Sequence, residues 1–392
     1  MRHRLFATAS LTIALAAVAA GAASAQDSVR VGLVMPMTGV VGPAGQEAVT
    51  GAKLFMAQHG DTVAGKKIEL IVRDDGSVPD TGKRLAQEFV VNDKVAFLGA
   101  GTTPSAMSMA PIVTEGKVPT VVMISGTSVV TERSPYYVRT SFTLGQQAGI
   151  IADWAIKNGS KKAVSVLSDW APGAEAGKVF EQHFSQGGGQ VLDTIKVPLA
   201  NPDFAPFLQH ARDLQPDTLF VFVPAGQAGT FARQFAERGL DKSGIKLVGP
   251  GDIVDDNDLP ATGDAMLGVV TAGFYSAAHP SAMNKEYVAA YAKATGGKRA
   301  NFISLGGYDG MHLIYEALKK TDGKTDPDAL LAAMKGTSWE SPRGPISIDP
   351  DTRDIIQNVY IRKVEKKDGE PYNIEFATFE AVKDPLHPAA VK

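Results

Sequence analysis

The chain has 392 residues, 44% of them hydrophobic and 21% charged, with a formal net charge of −3. Its mean hydropathy of −0.03 and its length fit a globular protein with two cores, and so small a net charge supplies no broad field for nucleic acid or an anionic membrane. The absence of cysteine excludes disulfides, thiolate nucleophiles, Cys-ligated zinc and iron–sulfur clusters.

In chain order, residues 1–25 read as an export signal rather than as part of the fold. Arg2, His3 and Arg4 precede an apolar stretch from Leu5 to Ala20, and Ala23-Ser24-Ala25 is a small-x-small cleavage signature. Export with cleavage after Ala25 is the expectation. No cysteine follows the apolar run to accept a lipid.

Strand and helix patterns then alternate. Val29–Met35, Lys67–Arg73, Val95–Leu98 and Pro119–Ile124 are strand-like β-branched runs. Between them, Gly45–His59, Pro79–Val91 and Thr103–Glu115 carry apolar residues at helical spacing. A second series repeats the layout, with strands at Ala163–Leu167, Val191–Val197, Thr218–Val223 and Lys246–Val248. Its helices are Gln147–Lys157, Gly173–Gln186, Phe204–Leu214 and Gly226–Arg238. This alternation predicts right-handed βαβ units, hence parallel sheets in two similar lobes. Helices follow at Ala282–Ala294, Ile303–Lys319 and near Asp328–Met334. Strands close the chain at Ile346–Ile348, Val359–Val364 and Ile374–Phe379, the last two joined by the turn Lys367-Asp368-Gly369.

In open parallel sheets, ligands bind beyond the carboxyl ends of strands, where helix N-termini offer unpaired N–H groups. Four segments occupy such places: Gly99–Pro104, Ser125–Ser128, Asp169–Gly173 and Pro224–Gln227. Small residues admit a ligand close to the backbone, and hydroxyls beside free N–H groups suit a carboxylate. Any one of them is equally an ordinary capped turn; four at strand ends point to a site. Catalytic signatures are missing. Gly99-Ala100-Gly101 lacks the third glycine and the later acid of a dinucleotide site, no G-x-S-x-G or P-loop occurs, and Ser243-x-x-Lys246 sits at a loop–strand junction. The histidines outside the signal are scattered without ligand spacing, so no metal and no cofactor is expected. Trp154 and Trp339 read as packing residues, whereas Trp170 stands in a strand-end loop suited to stacking on a ligand.

A series of short motifs in order carries a resemblance. They are Val31-Gly32-Leu33, Met37-Thr38-Gly39, Asp74-Asp75, Pro135–Thr140, Gly187-Gly188-Gly189, Asp203-Phe204, Pro216-Asp217, Gly239-Leu240 and Tyr308-Asp309-Gly310. From about Val29 to Phe379 the chain resembles the branched-chain amino-acid-type periplasmic binding proteins of ABC transporters, and within them receptors for aromatic and other carboxylated compounds. The resemblance implies an α/β fold of the type I binding-protein class: two Rossmann-like lobes with parallel sheets flanked by helices, joined by a multi-strand hinge. Lobe one is expected to comprise 27–144 plus 273–343, and lobe two 145–272 plus 344–385.

Carried over residue by residue, the ligand-binding set is Thr102, Thr103, Gly126, Thr127, Ser128, Trp170, Pro172, Ala225, Gly226, Gln227, Asp252 and Phe302. The family's ammonium-binding glutamate aligns with Gly251, leaving Asp252 as the nearest acid, and three of its tyrosine positions fall on Ala44, Pro172 and Pro224 or Ala225. These departures predict a roomier site for a ligand bulkier than leucine, such as an aromatic or amide-bearing carboxylate. The implied role is a non-catalytic, monomeric receptor that hands a small molecule to an inner-membrane permease. A ligand sensor of the same fold, or an exported α/β enzyme, is the alternative.

Overall fold

In a computed structural model, residues 28–387 are described; the expected export signal and its cleavage point lie outside them. The first sheet is assembled from β1 (Ser28–Met35), α1 (Gly42–His59), β2 (Thr62–Val63), β3 (Lys66–Asp74), α2 (Pro79–Glu88), β4 (Phe97–Ala100), α3 (Thr103–Gly116), β5 (Thr120–Val122) and β6 (Tyr137–Arg139). The chain then enters α4 (Leu144–Lys157), β7 (Lys162–Ser168), α5 (Ala171–Gln186), β8 (Gln190–Val197), α6 (Ala205–Asp213), β9 (Thr218–Phe222), α7 (Ala228–Glu237), β10 (Lys246–Pro250) and β11 (Val270–Gly273). It ends with α8 (Ala282–Thr295), α9 (Phe302–Lys320), α10 (Pro327–Met334), β12 (Ser338–Ser341), β13 (Gly344–Ile348), β14 (Ile355–Lys367) and β15 (Glu370–Val382).

Period-two side-chain alternation explains why each sheet is covered on both faces. On β1, Val29, Val31, Leu33 and Met35 pack with Ala48, Ala52 and Phe55 of α1 and with α9. Val34 points the other way, into Leu85 and Ala86 of α2 and Met109 and Val113 of α3. In the second sheet, Val164, Val166, Leu219 and Val221 face Leu208 of α6 and Phe231 and Phe235 of α7. The opposite face buries Phe220 and Phe222 with Phe180 and Phe184 of α5 and with Ile151 of α4.

Strand order is β2-β3-β1-β4-β5-β6 in the first sheet, all parallel except the short antiparallel β2. The second runs β8-β7-β9-β10-β11 in parallel and continues antiparallel through β14, β13 and β12, with β15 on β14. The parallel parts share one order, second-first-third-fourth-fifth, so the repeated layout in the sequence is a repeated topology. Both sheets therefore reverse between their first and third parallel strands, at β1/β4 and at β7/β9. The β14–β15 hairpin turns through Asp368 (φ 54°) and Gly369 (φ 87°), as the sequence suggests.

Four short strands, β2, β6, β11 and β12, were not anticipated. Since β12 pairs antiparallel with β13, bonding of the second sheet begins at Ser338, ahead of the expected division at 343/344. Two fully buried arginines tie the crossing segments. Arg343 meets Asp309 of α9 at 2.6 Å, the carbonyl oxygens of Thr140 and Ser141, and Gln357 of β14. Arg139 of β6 pairs with Asp354, just before β14, at 2.6 Å.

Candidate functional site

Both topological switch points open onto one cleft. From the first sheet, Val41 and Ala44 follow β1, Thr102 and Thr103 follow β4, and Ile124, Ser125 and Gly126 follow β5. Across from them, Trp170 and Pro172 follow β7, Phe222, Pro224 and Ala225 stand at the end of β9, and Asp252 follows β10. Phe142, Leu144 and Ile303 complete the lining, so most of the wall is apolar and no lysine or arginine contributes to it.

The polar groups of the first wall are built by the start of α3 and the loop after β5. Thr102 is the N-cap of α3 in an extended conformation, yet its hydroxyl makes no capping bond and is buried without a partner. Thr103 Oγ1 shares hydrogen bonds with Ser125 Oγ at 2.6 Å and Thr127 Oγ1 at 2.8 Å. Behind this loop, Arg139 donates to the carbonyl oxygens of Ser125 (2.5 Å) and Thr127 (2.8 Å). A trans peptide that turns the Ser125 carbonyl toward Arg139 turns the Gly126 N–H away from it. Gly126 also has to lack a side chain, since a Cβ there would come within 2.5 Å of the Phe142 ring. First-turn N–H groups of α3 and α5 have no intrahelical acceptor, and residues at both helix starts line the cleft.

The second wall carries one acid. Asp252 is 5% exposed, and its Oδ2 has no partner. Burial pushes its carboxyl up to about 7, against its own backbone N–H and the positive charge of Arg362. At the neighbouring Gly251, an added Cβ would lie 2.5 Å from Arg362 Nη2. The protein's own guanidinium thus fills the space that a glutamate at 251 would need. The indole N–H of Trp170 is likewise buried and unpartnered.

Of the expected ligand-binding residues, the structure brings together Thr102, Thr103, Gly126, Trp170, Pro172, Ala225 and Asp252. The other five are placed elsewhere. Thr127 stands one bond back, supporting Thr103. Ser128 is taken by the protein itself: its N–H and hydroxyl donate to the Glu175 carboxylate of α5 at 3.0–3.1 Å. Gly226 turns its N–H to Asp258 at 2.7 Å, outside the cleft, and Gln227 donates to the Leu199 carbonyl at 2.8 Å. Phe302 stacks edge-on against Phe142 and Phe274, at 5.4 and 5.7 Å between ring centres. It braces the wall, and its neighbour Ile303 faces the cleft.

Residues that sequence reasoning passed over form much of the wall and, Ser128 apart, the seam beside it. Phe142, Phe222, Ile124 and Leu144 look like core residues in sequence, and only their position past strand ends distinguishes them. Besides Ser128–Glu175, the seam between the two sheets is closed by Asn257, which donates to Glu47 at 3.0 Å, and by Asn301, which donates to Glu47 (2.8 Å) and Asp255 (3.0 Å). Burial raises the carboxyls of Glu47 and Asp255, each also pushed up by neighbouring acids, and burial lifts Glu175 to about 7.

A family model described as periplasmic binding protein matches residues 28–370 of the chain. The chain belongs to the periplasmic binding protein family. Among related periplasmic binding proteins, Leu/Ile/Val-binding protein homolog 6 of Brucella melitensis is 42% identical over 378 residues, covering 95% of this chain and 97% of the relative. The solute binding protein of an ABC transporter from Rhodopseudomonas palustris BisB5, solved with 3,4-dihydroxybenzoic acid, is 63% identical. It superposes with a TM-score of 0.90 over 92% of this chain and 99% of that one. A second, from Rhodopseudomonas palustris HaA2 and solved with p-hydroxybenzoic acid, is 40% identical with a TM-score of 0.88 over 92% of this chain and 100% of that one. These likenesses identify the fold as the type I periplasmic binding class, as the sequence motifs imply.

Proposed function

We propose that this chain is the periplasmic receptor of an ABC importer and that its cargo is an aromatic carboxylate. The observation that carries the reading is the cleft: an apolar slot lined by Ile124, Phe142, Phe222 and Pro224, with the Thr102 and Thr103 hydroxyls at the start of α3 on its first-sheet wall. A planar ring buries its faces against such walls, while a carboxylate takes hydrogen bonds from Thr102, Thr103 and the Gly126 N–H. Both Rhodopseudomonas palustris relatives were solved with acids of this class, which supports the assignment.

In this reading the chain is exported with cleavage after Ala25 and acts as a monomer without catalysis. The lobes divide near 144/145 and 272/273, with the third crossing close to β12. Ligand docks on the first-sheet wall, and closure adds Trp170, Pro172, Ala225 and Asp252. Closure then contributes affinity because only a ligand touching both walls favours the shut form. An inner-membrane permease receives the closed complex.

Titration calorimetry of the mature chain against benzoate, 4-hydroxybenzoate, 3,4-dihydroxybenzoate, leucine and phenylalanine tests this. Micromolar or tighter binding of an aromatic acid is expected. Tight binding of leucine with none of the aromatic acids would overturn it in favour of the branched-chain specificity named in the Brucella relatives.

A further inference from the structure

The cleft's two polar ends are chemically unlike. The first-sheet wall carries the unpartnered Thr102 hydroxyl, the linked hydroxyls of Thr103 and Ser125, and Gly126. The second-sheet wall sets an acceptor, Asp252 Oδ2, beside a donor-only group, Trp170 Nε1, and leaves both without partners inside the protein. Leaving a buried carboxylate oxygen unpaired costs free energy unless a ligand group completes it.

We propose that Asp252 selects for a hydroxyl on the ring, so that the cargo is a hydroxylated aromatic acid rather than an unsubstituted one. The proposal rests on the aromatic-carboxylate reading above. Its orientation follows from charge. A ligand carboxylate beside an ionised Asp252 would place two like charges in an apolar slot, so the carboxylate goes to the first-sheet wall and the ring's far edge meets Asp252. There a phenolic O–H donates to Oδ2, and the indole N–H donates to a ring-hydroxyl oxygen. An ammonium fits this wall poorly. It needs several acceptors, but Asp252 is joined there by Phe222, Pro224 and Ala225, which supply no acceptor side chain, and by an indole that only donates. The Arg362 guanidinium behind Gly251 further opposes a cation.

The test compares wild type with Asp252→Ala and Asp252→Asn, by calorimetry with benzoate, 4-hydroxybenzoate and 3,4-dihydroxybenzoate, with phenylalanine as the ammonium probe. Wild type is expected to hold the hydroxylated acids at least about tenfold tighter than benzoate. Asp252→Ala is expected to weaken them by about 10–100-fold, the value of one charge-assisted bond, with benzoate changed less than about threefold. Asp252→Asn, which keeps the size and one acceptor, should fall between. Equal wild-type affinity for benzoate and the hydroxylated acids would overturn the proposal while leaving the aromatic reading intact. So would parallel loss of all three acids in Asp252→Ala. Tight phenylalanine binding abolished by Asp252→Ala would assign the acid to an ammonium, and failure of every aromatic acid on wild type would remove both readings.

Discussion

Replacing Glu175 with glutamine tests whether shutting the cleft takes up a proton. In the structure the Glu175 carboxylate crosses the seam from α5 to Ser128, accepting its N–H and hydroxyl at 3.0–3.1 Å, a contact that the proposed closure would form. Burial lifts it from the ordinary 4.5 to about 7; the Ser128 bonds and Arg139 oppose the rise, and Asp384 adds to it. When the lobes part, the group returns to water and its ordinary value. A group whose closed-state pKa is raised favours closure fully below about 4.5, and that contribution is lost as pH climbs to about 7. At about 1.4 kcal/mol per unit, the full span is roughly 3 kcal/mol. Between pH 5.5 and 8 it corresponds to about a 10–30-fold fall in ligand affinity. Calorimetry with 4-hydroxybenzoate across that range, in buffers of different ionisation enthalpy, reads both the affinity and the proton uptake. Glu47 and Asp255 in the same seam are raised as well, so the diagnostic quantity is the difference in slope between wild type and Glu175→Gln. The variant should show a shallower slope and less proton uptake. Identical slopes for the two proteins, or affinity that rises with pH only in wild type, would refute the argument.

Arg343→Met is expected to cost about 3–5 kcal/mol of stability, because Asp309 at 1% exposure loses its counter-charge and the Thr140 and Ser141 carbonyls lose their donor. Urea unfolding measures it, and the double variant Arg343→Met/Asp309→Asn should recover part of the loss; no recovery would argue that packing, not the charge pair, is responsible. Thr103→Val keeps the side chain's shape but removes the hydroxyl shared with Ser125 and Thr127. It should weaken binding of an aromatic acid by about tenfold or more while lowering thermal stability only slightly, a split that a purely structural role for Thr103 would not produce.

The elements with strong local patterns were legible in the chain itself. Alternating β-branched runs such as Val29–Met35 bury on two faces and leave little choice but a covered parallel strand, and Thr102-Thr103-Pro104 marks a helix start on any reading. Those local signals, repeated twice in order, were enough for two α/β lobes and for the expectation of a site at the strand ends. Short strands escaped because two to four residues hold no measurable period; β2, β6, β11 and β12 exist only through the partners they pair with. The finer site was decided by contacts between residues far apart in sequence. Ser128 has the right chemistry for a ligand carboxylate, yet Glu175, 47 residues on, reaches it first. Arg362 occupies the space beside Gly251 from the final hairpin, and Asp354 holds Arg139 from 215 residues away. Side-chain type and spacing set what each loop could bind. Which of those groups remain free for a ligand depends on how the two sheets face each other, since hydrogen bonds and charge are satisfied by whatever tertiary packing brings within reach.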